Sequence, residues 1–176
     1  MKRTEIRFSD YAGKIIEALR SGILLTTKAD GKVNTMVIGW GTLGINWSRP
    51  VMTVFVRDSR YTKQLLDQNG EFTVNVPMEK LSPQVMQTAG SLSGRDIDKI
   101  AALGLTLIEP AEISVPAIAE YPLTLECKVL YSQRQHEEQL PDQIRNRLYP
   151  ADENGTMDAH TSYYAQIVAA YILEEE

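Results

Sequence analysis

One dipeptide constrains this chain more than any other feature. Asp30-Gly31 stands between two apolar runs, Gly22 to Thr27 and Val33 to Ile38. Asp-Gly is the preferred centre of a type I′ turn, whose twist matches two antiparallel strands. Other runs extend the strand pattern. Val51 to Val56 is dominated by β-branched residues, and Glu71 to Val76 alternates with period two until Pro77 ends it. Leu123 to Tyr131 and Tyr163 to Leu173 read as long late strands. Helical patterns are short. Ser9 to Arg20 carries Ile15, Ile16 and Leu19 on one face, with Ser9 as cap and Gly22 as stop. Ser59 to Asn69 is capped by Ser59 and stopped by Gly70, and Ser82-Pro83 opens another helix. Gly94 to Leu103 reads as helix up to Gly104, and Gln139 to Tyr149 carries a short helical pattern bounded by Pro141 and Pro150. Short-spaced strands with few βαβ units predict a mainly β fold with peripheral helices, an antiparallel barrel and not a doubly wound sheet.

The segment Gly39-Trp40-Gly41-Thr42-Leu43-Gly44 matches G-x-G-x-x-G, and Asp58 stands near the distance of a ribose-binding acid. That fingerprint works only where a helix begins, because the pyrophosphate rests on the helix N-terminus. Here Ile45-Asn46-Trp47-Ser48-Arg49-Pro50 follows, then a β-branched strand. The dinucleotide reading is therefore rejected. The glycines mark a bulged strand or a close approach of backbone to something flat.

Composition narrows the function classes. A chain of 176 residues is expected to be a single domain spanning 1–176, able to bury roughly 70% of its unfolded surface. Its lone cysteine, Cys127, permits neither an internal disulfide nor a Cys-rich zinc site, and two histidines argue against a His cluster, so no metal is expected. The net charge of −5 argues against a nucleic-acid partner. No apolar run approaches the ~20 residues of a membrane span, and Met1 to Arg7 lacks the apolar core of a signal peptide. The expectation is a cytoplasmic chain with no membrane partner.

Three polar clusters remain. Asn34-Thr35-Met36 leads into Trp40-Gly41-Thr42. Asp58-Ser59-Arg60-Tyr61-Thr62 opens a helix, where hydroxyls, free N–H groups and a cation suit phosphate; by itself the segment is more often a capped surface helix with an exposed Arg. Gly90 to Lys99 joins two helices through small hydroxylic residues, and by itself is also a solvated turn. No nucleophilic triad stands out. Cys127 lies within a strand pattern and His136 looks solvated, so no catalytic residue is assigned.

In order, Ile23-Leu24-Leu25-Thr26-Thr27, Gly31 to Asn34, Gly39-Trp40-Gly41-Thr42, Ser59-Arg60-Tyr61-Thr62, Gly70 to Pro77 and Ser93 to Lys99 resemble the flavin reductase-like family, which includes flavoredoxins. The resemblance runs over nearly the whole chain. It implies an FMN-binding split β-barrel, antiparallel and Greek-key-like. By position, Asn34, Thr35, Met36, Trp40, Gly41 and Thr42 resemble the strand lining the isoalloxazine and ribityl chain. Ser59, Arg60, Tyr61 and Thr62 resemble the phosphate side, and Ser91, Ser93, Gly94 and Lys99 the closing loop. His160 resembles the His of a late Asp-x-His segment, although Asp158-Ala159-His160 carries one residue more than the usual Gly-Asp-His. Thr88-Ala89-Gly90 lacks the cysteine that near relatives often carry there.

The resemblance implies an FMN-dependent oxidoreductase of the flavin reductase type, with NADH or NADPH as electron donor. A flavoredoxin-like FMN carrier meeting a redox protein is the alternative. A non-enzymatic small-molecule-binding dimer on the same barrel is a third reading. A homodimer is expected in each case. The chemistry requires no protein acid or base, because FMN carries hydride and electron transfer itself. Trp40 serves as a ring-stacking residue or as barrel core.

Overall fold

In a computed structural model, residues 1–174 are described. The elements in order are β1 (Lys2–Glu5), α1 (Ala12–Ser21), β2 (Ile23–Ala29), β3 (Lys32–Ile38), β4 (Gly41–Asn46) and β5 (Arg49–Arg57). Then come α2 (Tyr61–Asn69), β6 (Glu71–Val76), α3 (Pro83–Ser91), α4 (Lys99–Leu103), β7 (Leu107–Ile108) and β8 (Ala117–Ile118). The last elements are β9 (Leu123–Arg134), α5 (Asp142–Leu148) and β10 (His160–Glu174). Strand order in the main sheet is β3-β2-β6-β9-β10-β5-β4, with β1 added beside the far end of β10. Every pairing in it is antiparallel.

The sheet curls but does not close. Its two edges, β3 and β4, are consecutive in sequence and joined only by Gly39 and Trp40. Three Cα steps then separate Ile38 from Gly41, at most roughly 11 Å. The edges lie close together without pairing, which is a split in an otherwise continuous barrel wall. β10 forms the spine. It pairs with β5 through its first half and with β9 along most of its length, and register shifts at Tyr164/Ala165 and Ile167/Ala169 bend it.

The hairpin at Asp30-Gly31 forms as its residues require, with φ of 49° and 73°. Inside the sheet, Leu25, Met52, Val54, Phe72, Val74, Leu125, Cys127 and Tyr163 make the core, and α1 covers it with Ile15 and Leu19. Burial pushes the Cys127 thiol well up, so it acts as a small apolar residue.

Several local expectations change. Ser9 lies in a one-turn 3-10 helix before α1, and its hydroxyl reaches only Asp10, so it caps nothing. Ser59 does not cap α2 either: Arg60 holds that position, and Ser59 bonds Asp158 instead. The Gly94 to Leu103 helix shrinks to α4, started by Asp98, whose carboxylate accepts from Ala101 N at 3.1 Å. The G-x-G-x-x-G segment becomes β4, paired with β5 from Gly41↔Val54 to Asn46↔Arg49.

One buried carboxylate holds the long crossover. Glu126, fully buried on β9, accepts from Ala111 N and Glu112 N at 2.7 Å each and from the Tyr171 hydroxyl at 2.7 Å. Arg3 stacks over the Tyr171 ring and donates to the Glu109 carbonyl, closing the same loop from the other side. Glu126→Gln trades an acceptor for a donor that finds N–H groups already there. Chemical denaturation is expected to show a loss of about 1–3 kcal/mol; unchanged stability would mean the carboxylate does not hold the crossover.

Candidate functional site

The split in the barrel opens onto two adjoining cavities. One, of about 180 Å³, is lined by Met36, Val37, Ile38, Gly39, Trp40, Phe55, Arg57, Arg60 and His160. The other, of about 150 Å³, is lined by Asn34, Met36, Ser59–Thr62, Ala89–Arg95 and Lys99. Met36 and Arg60 border both. Each alone falls below the ~300 Å³ of a typical small-molecule pocket; joined, they reach it.

Strand alternation decides which side chains enter. On β3, Asn34 and Met36 point into this trough. Thr35 points the other way, fully buried, where it bonds Thr26 Oγ1 at 3.0 Å. Gly41 and Thr42 also lie outside the trough. Gly41 borders an apolar groove with Ile16, Leu19 and Phe55, and Thr42 faces Tyr164. The remaining expected residues, Asn34, Met36, Trp40, Ser59, Arg60, Tyr61, Thr62, Ser91, Ser93, Gly94, Lys99 and His160, come together around it.

The 150 Å³ end is rich in donors. Helix α2 has no side-chain cap, so the N–H groups of its first turn carry no capping acceptor. Asn34 Nδ2 donates to Thr62 Oγ1 at 2.8 Å, which leaves the Thr62 proton free to be donated. Lys99, 4% exposed, donates to the Ala89 carbonyl at 3.0 Å. Burial, reinforced by the charge of Arg60, lowers its pKa to about 8. Among the described residues, neither Lys99 nor Arg60 has a carboxylate partner. Two close cations without an acid favour an anion between them.

The loop from Ser91 to Asp98 is pinned over this end. Arg95 donates to the Ser59 carbonyl at 3.1 Å and lies over the Tyr61 ring. Gly94 packs so closely that an added Cβ would stand 2.0 Å from Asn34 Oδ1 and 2.9 Å from Tyr61 Cδ1.

At the other end, Trp40 is 41% exposed and so is not barrel core. Its ring lies 4.9 Å from that of His160. His160 starts β10, opposite Arg57 in register. Burial, then the Arg57 cation, holds its pKa down at about 4, so its imidazole is neutral near pH 7. Arg57, Phe55 and Tyr149 carry no signal that sequence reasoning picks up. Arg57 ends a strand and precedes Asp58, a position that could have marked it. Tyr149 ends the short helical pattern from Gln139, which carries no functional mark.

The His160 shift makes stability depend on pH. Its pKa is about 4 folded against 6.5 unperturbed, so between those values the unfolded chain binds more protons. Stability therefore falls as pH drops through that window. Urea denaturation at pH 7, 5 and 4 is expected to show this loss, and to show a smaller one in His160→Gln. Equal pH slopes in the two proteins would contradict the assignment.

Several known proteins share this fold. A solved flavoredoxin from Methanosarcina acetivorans matches with a TM-score of 0.65 and 26% identity, over 88% of this chain and 69% of that one. An NADH:FAD oxidoreductase from Streptomyces globisporus matches with a TM-score of 0.63 and 16% identity, over 86% of this chain and 75% of that one, a likeness of fold. In sequence, an uncharacterized protein of Archaeoglobus fulgidus is 38% identical over 99 residues, 56% of this chain and 55% of that one. The matches with curated relatives span 55% to 64% of those proteins. The family model for the flavin reductase-like domain matches residues 20–176. On that match and this split-barrel sheet, the chain belongs to the flavin reductase-like family.

Proposed function

We propose that the chain is an FMN-binding oxidoreductase of the flavin reductase type, working as one unit over residues 1–176, with NADH or NADPH as electron donor. One observation carries the reading: Arg60 and Lys99 border one hydroxyl-lined cavity with no carboxylate partner among the described residues, next to a groove walled by Trp40 and His160. A phosphate on a flat ring has this form. The donor set fits a phosphate monoester: the uncapped start of α2, Thr62, Ser59 and two cations. The flavin supplies hydride and single-electron transfer when bound. The chain's own residues hold the phosphate at Arg60, Thr62 and Lys99, keep the loop closed through Arg95, and flank the ring with Met36 and Trp40.

A flavoredoxin-like carrier is the second reading. The solved structure at 26% identity is a flavoredoxin, which favours this alternative. A homodimer accords with a surface of exposed aromatics, where Trp47 packs edge-on against Tyr131 and Tyr164 beside exposed Ile45. No helix of the described residues is long and apolar enough to cross a membrane. A cytoplasmic site of action is part of the proposal, with small-molecule or protein redox partners and no nucleic acid.

The protein purified without added cofactor is expected to be yellow, and anaerobic NADH or NADPH to bleach it. A colourless protein that takes up no FMN would overturn the flavin reading. Bleaching by reduced ferredoxin but by neither nucleotide would select the carrier. Lys99→Met and Arg60→Ala are each expected to weaken FMN binding by about 10- to 100-fold, measured by flavin fluorescence. Because Lys99 loses its proton above about pH 8, wild-type affinity is expected to fall as pH rises through that value, and Lys99→Met to lose this dependence.

A further inference from the structure

The segment from Gln135 to Pro150 adds no strand to the main sheet beyond the end of β9, yet it reaches the site through one side chain. Tyr149 is 3% exposed. Its hydroxyl stands 2.9 Å from Gln135 Oε1 and 2.8 Å from His160 Nδ1. Its ring meets the imidazole edge-on, with centroids 5.5 Å apart. Arg57 holds this arrangement from the other side. The guanidinium lies over the Tyr149 ring and donates to the Leu148 carbonyl at 2.8 Å and the Asp158 carbonyl at 2.7 Å. The end of the segment is thereby fixed to β5 and to the turn before β10.

Proton counting gives this chain of bonds a direction. A phenol has one proton, and Gln135 Oε1 can only accept. The proton goes to Gln135, so the phenol oxygen accepts, and Nδ1 must carry the hydrogen. A neutral imidazole has one N–H, which leaves Nε2 bare.

Burial first, then the Arg57 cation, keeps the ring neutral. Arg57 and Arg60 are the cations facing it, and Asp58 and Asp158 the anions. Both anions are engaged elsewhere. Asp158 accepts from Ser59 N and Oγ at 3.0 and 2.7 Å. Asp58 accepts from Arg134 Nε at 2.8 Å and from Thr161 Oγ1 at 3.4 Å. Tyr149 contributes no charge. Nε2 has no hydrogen-bond partner among the described residues, and His160 borders the 180 Å³ cavity beside Trp40.

We propose that Tyr149, oriented by Gln135, is a positioning residue that fixes His160 as the Nδ1–H tautomer and presents Nε2 to the cavity as an acceptor for an N–H of the bound ligand. The ligand half rests on the flavin reading, since an isoalloxazine carries an imide N–H. The tautomer half does not. The Gln135 to Pro150 segment thereby sets whether the site accepts or donates at this wall.

Two-bond 15N–1H correlation on the full chain, as purified and after FMN is added, reads the state of the imidazole nitrogens. Only His136 and His160 contribute, and His136→Gln separates them. Wild type is expected to show a protonated Nδ1 and a bare Nε2 at His160, unchanged from pH 8 to 5. Gln135→Leu frees the Tyr149 proton to turn toward Nδ1, so the ring is expected to switch to Nε2–H. Tyr149→Phe removes the acceptor, and the Nδ1–H form is expected to lose its dominance. A packing role for the segment would leave the tautomer alone. An Nε2–H form in wild type, or one unchanged tautomer in all three proteins, would overturn the proposal. Added FMN is expected to move the Nε2 resonance. FMN that binds without moving it overturns the ligand half, whereas failure of FMN to bind overturns the flavin reading and leaves the tautomer result standing.

Discussion

The unmade ladder between β3 and β4 governs the rest of the molecule. Two strands joined by two residues are ordinarily a hairpin. Here Gly39 and Trp40 carry the chain across without pairing, and each strand finds its sheet partner on the far side instead. β3 is bound to β2 along its length, and β4 to β5. Both edges therefore keep unpaired backbone groups at the split, a situation that sheets ordinarily avoid. The cavity walls are built there, from Met36 to Trp40 on one side and Phe55 and Arg57 on the other. A closed barrel would place the same side chains against one another and leave no room for a flat ring.

Charge is distributed around this split in a way that the net value conceals. Overall the chain is at −5, yet among the described residues Arg60 and Lys99 face the cavity with no acid in its lining. Acids of the adjoining turns are engaged elsewhere: Asp58 by Arg134, and Asp158 by Ser59. Arg134 in turn bridges Asp58 and Glu137, at 2.8 and 2.9 Å. These contacts join the start of α2, the end of β9 and the turn before β10. They are partly exposed pairs, individually worth little to stability. Their consequence is placement: carboxylates that could neutralise the cavity cations are turned away from them.

The strands were legible in sequence because their signals are local. Period-two alternation, β-branched runs and Asp30-Gly31 act within a few residues. The same alternation places Asn34 and Met36 on one face and Thr35 on the other, a distinction that grouping them as one cluster overlooked. The β4–β5 turn was not legible. Its centre is Trp47-Ser48, with φ of 48° and 56°, where a Gly or Asn would be expected. Long-range contacts hold it instead: Trp47 packs on Tyr131 and Tyr164, which arrive on β9 and β10. Ser9 and Ser59 failed as caps for a related reason. A hydroxyl before a helix has the right chemistry, but for Ser59 a carboxylate from the turn before β10 wins it. Tyr149 depends on which strands become neighbours, so no local pattern could name it, and for Arg57 the one local hint was its place at a strand end before Asp58.

The two ends of the trough are built from different kinds of element, and that division follows from what each must do. An anion needs many donors at adjustable positions, and the start of α2 with the loop from Ser91 to Asp98 provides them. Arg95, on Ser59 and Tyr61, and Gly94, packed against Asn34 and Tyr61, hold that loop. A ring edge needs one group in one protonation state. His160 is accordingly the first residue of the longest strand, locked in register with Arg57 and bonded to Tyr149. A strand end anchored on both sides moves less than a loop, and a buried imidazole beside two arginines stays neutral across the physiological range. The donor-rich end is thus carried by a helix start and a loop, and the Trp40–His160 end by a strand terminus, along a single groove.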